Sequence, residues 1–218
     1  MTDIERFKNK LVSYIQNKLG STPEIQRISS DKSRWTSQTP WKKILSFDIL
    51  TFKNFPQEGI TTYVTSGLSE YVLRDDQNDQ KPRRIELISA LRNDTDFEEL
   101  TGDSGDKKNF YEDSLMYICC YMIIRNSYIF PGDIWNRWFI NKYEQFSDME
   151  HLYLPTPILL TNKIQPTTIE GKEIEFLLCV PISDGELKYY EKNGSEALEK
   201  LLLKNKVEIT DLFRESVI

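Results

Sequence analysis

Apolar positions recur along this chain first at helical spacing, then at strand spacing, then at helical spacing again. Thr2-Asp3-Ile4-Glu5 forms a capping box, in which the threonine and the glutamate each satisfy a free backbone N–H at a helix start. Behind it Ile4, Phe7, Leu11, Tyr14 and Ile15 fall on one stripe, and Gly20 supplies the left-handed residue that closes the helix, placed by this pattern over 2–19. A short strand is expected over Glu24–Ser30. Three more follow, over Ile44–Phe52, Ile60–Thr65 and Arg84–Arg92. In the last of these Ile85, Leu87 and Leu91 share one face, with Arg84, Glu86 and Arg92 opposite.

The pattern then returns to the helical period. Asn109 and Glu112 resemble a helix start. Leu115, Ile118, Cys119, Met122 and Ile123 form a stripe, and the intervening Met116, Tyr117, Cys120, Tyr121 and Ile124 are apolar too. A helix apolar on all sides is expected to be buried nearly all round. Pro131-Gly132-Asp133 marks a turn. Two apolar strands follow, His151–Leu160 and Ile174–Pro181, each ended or interrupted by proline. Ser183 and Glu186 make a further capping box, Asn193-Gly194 stops that helix, and a last helix runs over Ser195–Asn205. Strands grouped in the middle with helices at the ends predict an α+β fold with a mixed, mostly antiparallel sheet packed by helices, not alternating βαβ units. The 218 residues suit a single domain.

Composition narrows the function classes. The net charge of −6 disfavours nucleic acid as a partner, because binding phosphates requires clustered Lys and Arg. The longest apolar run, Leu115–Ile124, is half of a membrane span, and the charged opening residues carry no apolar secretory core. Cys119, Cys120 and Cys179 are odd in number and irregular in spacing, so no disulfide framework is expected. These features point to a cytoplasmic protein. The acidity is local. Asn93–Asp113 holds eight carboxylates against Lys107 and Lys108, an excess of six that equals the net charge of the chain.

Candidate chemistry is sparse. Gly102-Asp103-Ser104-Gly105 resembles the loop around a trypsin-like serine nucleophile, but only over four residues, and it continues with Asp106. The lone His151 lies downstream of the serine rather than upstream. The stretch reads as an acidic turn. His151 could pair with Cys179 as a nucleophilic dyad, yet Cys179 sits within the apolar run Phe176–Val180 and reads as a small buried hydrophobe. One histidine and no Cys-x-x-Cys pair leave no zinc set, and the acidic residues lack the spacing of a calcium loop. Arg83 and Arg84 read as the solvated start of a strand, or as a grip for an acidic partner. Trp35 and Trp41 bracket a polar loop and could anchor an interface or pack on their own core. Trp135 and Trp138 are expected in the core. No catalytic residue, metal site or cofactor is assigned.

Several segments, in order, resemble the suppressor of fused family. They are Thr62-Tyr63-Val64-Thr65-Ser66-Gly67-Leu68-Ser69, Pro82-Arg83-Arg84-Ile85-Glu86-Leu87, Pro131-Gly132-Asp133-Ile134, and Val180-Pro181-Ile182-Ser183-Asp184-Gly185-Glu186-Leu187 followed by Asn193-Gly194-Ser195-Glu196-Ala197-Leu198. The core motifs span about 44–213. The resemblance implies a single α+β domain of 1–218 and a binding protein without catalysis. The animal member sequesters a transcription factor. Bacterial members similar to this chain are immunity proteins, or antitoxins, encoded beside a secreted polymorphic toxin that is often a nuclease. A cognate toxin with a basic active face is then the expected partner, with no nucleic acid or membrane partner. Asp94, Asp96, Glu98, Glu99, Asp103 and Asp106 are the expected contact residues. Two alternatives remain: an intracellular scaffold that binds a linear peptide of a regulatory protein, and a hydrolase built on Ser104 or Cys179 with His151.

Overall fold

The computed structural model describes residues 2–29, 46–74, 83–93, 110–137 and 148–218, and of 110–113 the backbone alone. Helix α1 spans Asp3–Leu19. Its Thr2 capping box forms as the sequence predicts, and Gly20 adopts φ 76° at its end. Strands β1 (Glu24–Ser29), β2 (Ser46–Lys53), β3 (Ile60–Ser66) and β4 (Ile85–Arg92) follow, then helix α2 (Phe110–Arg125). Next come β5 (Asp133–Trp135), β6 (His151–Leu154), β7 (Thr167–Ile169), β8 (Lys172–Leu178) and β9 (Val180–Ile182). Helices α3 (Asp184–Asn193) and α4 (Ser195–Lys204) complete the order.

The strands form two sheets. The larger has six strands in the order β1-β2-β3-β4-β8-β7; the smaller has three, β5-β6-β9. Among the named strands of the described residues every pairing is antiparallel except β4 with β8, where Ile85 stands opposite Glu175 and Ile88 opposite Leu178. The fold is therefore α+β with a mixed sheet, as its strand grouping predicts.

Side-chain alternation divides the interior into two cores, because successive residues of a strand point to opposite faces. On one face Phe47, Ile49, Ile85, Leu87 and Leu177 pack with Leu115, Ile118, Cys119 and Met122 of α2. On the other Leu50, Phe52, Val64, Ile88, Phe176 and Leu178 pack with Phe7, Leu11 and Ile15 of α1 and with Leu198 and Leu202 of α4. Burying one such side chain stabilises by about 1.5–3 kcal/mol, so the large sheet is held from both sides.

Three expectations need correction. The Arg84–Arg92 strand does not present a polar face to water: Glu86 is fully buried and Ile88 with it, because helices cover both sides of this central strand. The apolar run Ile174–Pro181 is not one strand. Leu178 closes β8 of the large sheet, Cys179 donates its N–H to Ile88 O at 2.7 Å, and Val180 opens β9 of the small sheet. Finally, α2 is not buried all round, since Tyr121 and Ile124 are exposed. The polar turn before Ile174 proves to be a hairpin. Glu170 and Gly171 take φ 50° and 76°, which matches the twist of a two-residue turn between β7 and β8.

Candidate functional site

The motif residues that single out this sequence turn inward. Glu86 of β4 is completely buried, and among the described residues no cation is in contact with it. Its Oε1 accepts from Gly67 N at 2.8 Å, Ser69 N at 3.1 Å and Ser69 Oγ at 2.6 Å, and its Oε2 accepts from Thr65 Oγ1 at 2.6 Å. The turn that wraps it requires Gly67, at φ 109°, where a Cβ would collide with the Lys8 side chain. Burial pushes the Glu86 carboxyl above the usual carboxylate range, opposed by the hydrogen bonds from Ser69, Thr65 and Gly67. The Thr65–Ser69 and Arg83–Leu87 motifs are thus two halves of one internal knot.

A second buried carboxylate organises the C-terminal motif. Glu186 serves the Ser183 capping box and also takes both guanidinium arms of Arg214 at 2.7 Å each. Val217 N donates to it at 3.2 Å, and Arg214 also donates to Pro181 O at 2.8 Å. This straps the last residues over β9 and the start of α3. The Pro131-Gly132-Asp133 turn is likewise internal. Gly132 N donates to Leu154 O at 2.8 Å, and a Cβ at Gly132 would collide with Ser195, whose Oγ lies 2.8 Å from Tyr153 Oη.

Cys179 and His151, both considered for catalysis, lie apart. Cys179 is buried in the α2-side core, and burial pushes its thiol up to about 12, far from the thiolate form a nucleophile needs. His151 faces elsewhere, in the small sheet opposite Ile182. Its Nδ1 accepts the Arg137 N–H at 3.3 Å and its Nε2 lies 2.7 Å from Asp184 Oδ1. These partners place the proton on Nε2. That bond to His151 is the main cause holding the Asp184 carboxyl below its usual value. Glu150, His151 and Asp184 bring possible ligand atoms within 4.8 Å of one another, but both imidazole nitrogens are already committed, so the ring has no free lone pair for a cation. Ser104 lies outside the described residues.

Arg83 and Arg84 are not the solvated pair expected. Arg83 lies over the rings of Tyr128 and Phe130, 5.4 Å from each centroid, and reaches Glu175 Oε1 at 3.3 Å. Arg84 donates to Ser69 O at 2.6 Å and Glu70 O at 3.1 Å. Trp135 is half-buried rather than core, its ring edge-on to Tyr121 with centroids 5.1 Å apart. Tyr121 and Ile124 therefore leave an apolar surface on α2, with the half-buried Trp135 of β5 packed beside Tyr121. Trp35, Trp41 and Trp138 lie outside the described residues, as do Asp94, Asp96, Glu98, Glu99, Asp103 and Asp106. Sequence reasoning missed Arg214 altogether. Its partner is 28 positions away, and no local pattern marks it.

The fold is a mixed sheet with helices on both faces, and its signature residues turn inward as knots. A sequence model of the family described as Suppressor of fused protein (SUFU) matches residues 45–215, and the chain belongs to that family. Immunity protein YqcF of Bacillus subtilis (strain 168) is 30% identical over 213 residues, 97% of each chain. Among solved structures, a SUFU homolog from Neisseria gonorrhoeae FA 1090 superposes with a TM-score of 0.64 at 14% identity, over 98% of each chain. A chain of the Sufu–Fu complex superposes with a TM-score of 0.65 at 14% identity, over 96% of this chain and 91% of that one. Drosophila Suppressor of Fused gives 0.61 at 14% identity over 95% of this chain, which spans 50% of that protein. These structures share the fold.

Proposed function

We propose that this chain is a bacterial immunity protein that neutralises a cognate polymorphic toxin by direct contact, without catalysis. The observation that carries this reading is its end-to-end likeness to the Bacillus subtilis immunity protein. Two structural facts support it. Cys179 and His151 are buried in different places, and the family motifs are consumed in holding the frame. Among the described residues no helix is long and apolar enough to cross a membrane. The reading places the protein in the cytoplasm, where a nuclease toxin would act. A nuclease must bind phosphates, so its active face is basic, and an acidic surface competes for it. Asp94, Asp96, Glu98, Glu99, Asp103 and Asp106 are proposed as contact residues on this charge argument.

The test is co-expression with the product of the adjacent gene. Rescue from toxicity together with co-purification of the two chains is expected. Toxicity unrelieved by this chain would overturn the reading. A second reading, a scaffold for a linear peptide of a regulatory protein, is favoured by the family's solved Sufu–Fu complex. Capture of an extended peptide in place of a folded toxin would select it.

A further inference from the structure

The strongest unassigned device in the described residues is the environment of the chain's only histidine. His151 is 3% exposed and joins three elements. It opens β6, its Nε2 donates to Asp184 at the start of α3, and its Nδ1 accepts the backbone N–H of Arg137, two residues beyond β5. The Nδ1 bond exists only while the ring is neutral, because an imidazolium is a donor at both nitrogens. A proton arriving at Nδ1 would set two donors against each other across 3.3 Å. The same proton strengthens the bond at Nε2, where a carboxylate faces the new positive charge.

We infer that His151 is a proton-operated latch: neutral, it holds the chain at Arg137 against β6; protonated, it releases Arg137 and tightens on Asp184. The charged groups around it set the balance. Asp184 of α3 bonds the ring and is itself acted on by the charges of Lys188 on α3 and Arg137 after β5; beside His151 stands Glu150, and β9 presents the apolar Ile182 opposite. Asp184, 68% exposed in its side chain, remains free to follow the ring. Arg137 already sits at φ 50°, a conformation ordinary residues leave readily when the contact holding it is lost. The consequence reaches the surface. Trp135, two residues before Arg137, packs edge-on against Tyr121 of α2, so opening the latch loosens one side of the exposed apolar surface at Tyr121 and Ile124. This device stands independently of the partner proposed above.

A single histidine makes the test direct, since labelling histidine with nitrogen-15 reports this ring alone. In the whole chain at neutral pH, Nδ1 is expected to resonate as the unprotonated nitrogen. As the pH falls through the ring's titration, the amide protection factor of Arg137 should drop by up to about tenfold per pH unit. The amides of Trp135–Arg137 should lose protection together, while that of Tyr153 in mid-strand β6 keeps it. His151→Gln should abolish the pH dependence. A ring protonated on Nδ1 at neutral pH would overturn the latch. So would an Arg137 amide whose protection ignores the histidine's titration.

Discussion

Glu86 and Glu186 are both fully buried carboxylates, and the chain satisfies them by opposite means. Glu186 meets a cation, with Arg214 gripping both oxygens at 2.7 Å. Among the described residues Glu86 meets dipoles alone: two backbone N–H groups and two hydroxyls. A charge paired with a charge can be exchanged, in principle, for two apolar side chains of similar volume. A charge held by backbone cannot, because the N–H groups of Gly67 and Ser69 remain whatever residue stands at 86 and still require an acceptor. The first arrangement fastens a tail; the second shapes a turn.

The largest effect should come from Arg214→Ala. It strands the buried Glu186 charge and is expected to cost about 3–5 kcal/mol in urea unfolding. If the loss is below about 1 kcal/mol, the strap is not holding the C-terminal residues. The double substitution Arg214→Met with Glu186→Leu should recover most of that loss, although the capping bond to Ser183 N goes with it. Glu86→Ala should cost about 2–4 kcal/mol, with no apolar residue at 86 able to restore it. Recovery by Glu86→Leu would break the contrast between the two sites.

Glu86→Gln sharpens the contrast through pH. Burial raises the folded carboxyl above its ordinary value, so the folded state holds the proton more tightly than the unfolded chain does. Its contribution therefore falls as pH rises from the ordinary carboxylate range through the raised value, and is constant above that. The glutamine variant keeps an acceptor for the Gly67–Ser69 turn, should lie within about 1–2 kcal/mol of the parent, and should lack that slope. A parent-minus-variant stability difference independent of pH would mean that folding does not raise the Glu86 carboxyl. The smallest effect on folding should follow substitution of Asp94, Asp96, Glu98, Glu99, Asp103 and Asp106 by Asn or Gln, less than about 0.5 kcal/mol each. Their effect should appear instead as slower association with the toxin and a flatter salt dependence, read by stopped-flow mixing at several ionic strengths.

Much of the frame was legible in local pattern. The Thr2 and Ser183 capping boxes, the stripe of α1 and the strand positions of β1–β4 all rest on interactions within a few residues, and the structure forms them. The split at Cys179 was not legible, because an apolar run looks the same whether one sheet or two receive it. Glu86 shows the same limit. As a polar residue in an alternating strand it reads as facing solvent, and nothing nearby in sequence reveals that Thr65, Gly67 and Ser69 will wrap around it. The exposed side of α2 was hidden for the converse reason: its apolar residues say it could be covered all round, and only the placement of the sheet shows which side is.

The sequence by itself determined the order and type of elements, the family, and the concentration of negative charge before α2, since these depend on periodicity, caps and composition. Tertiary structure decided which residues became partners. Arg214 with Glu186, Glu86 with the Gly67 turn, and His151 between Arg137 and Asp184 are joined across 14 to 33 positions. Such contacts form because a buried polar group must find its complement wherever the folded backbone brings one within about 3 Å, a condition that local spacing does not encode.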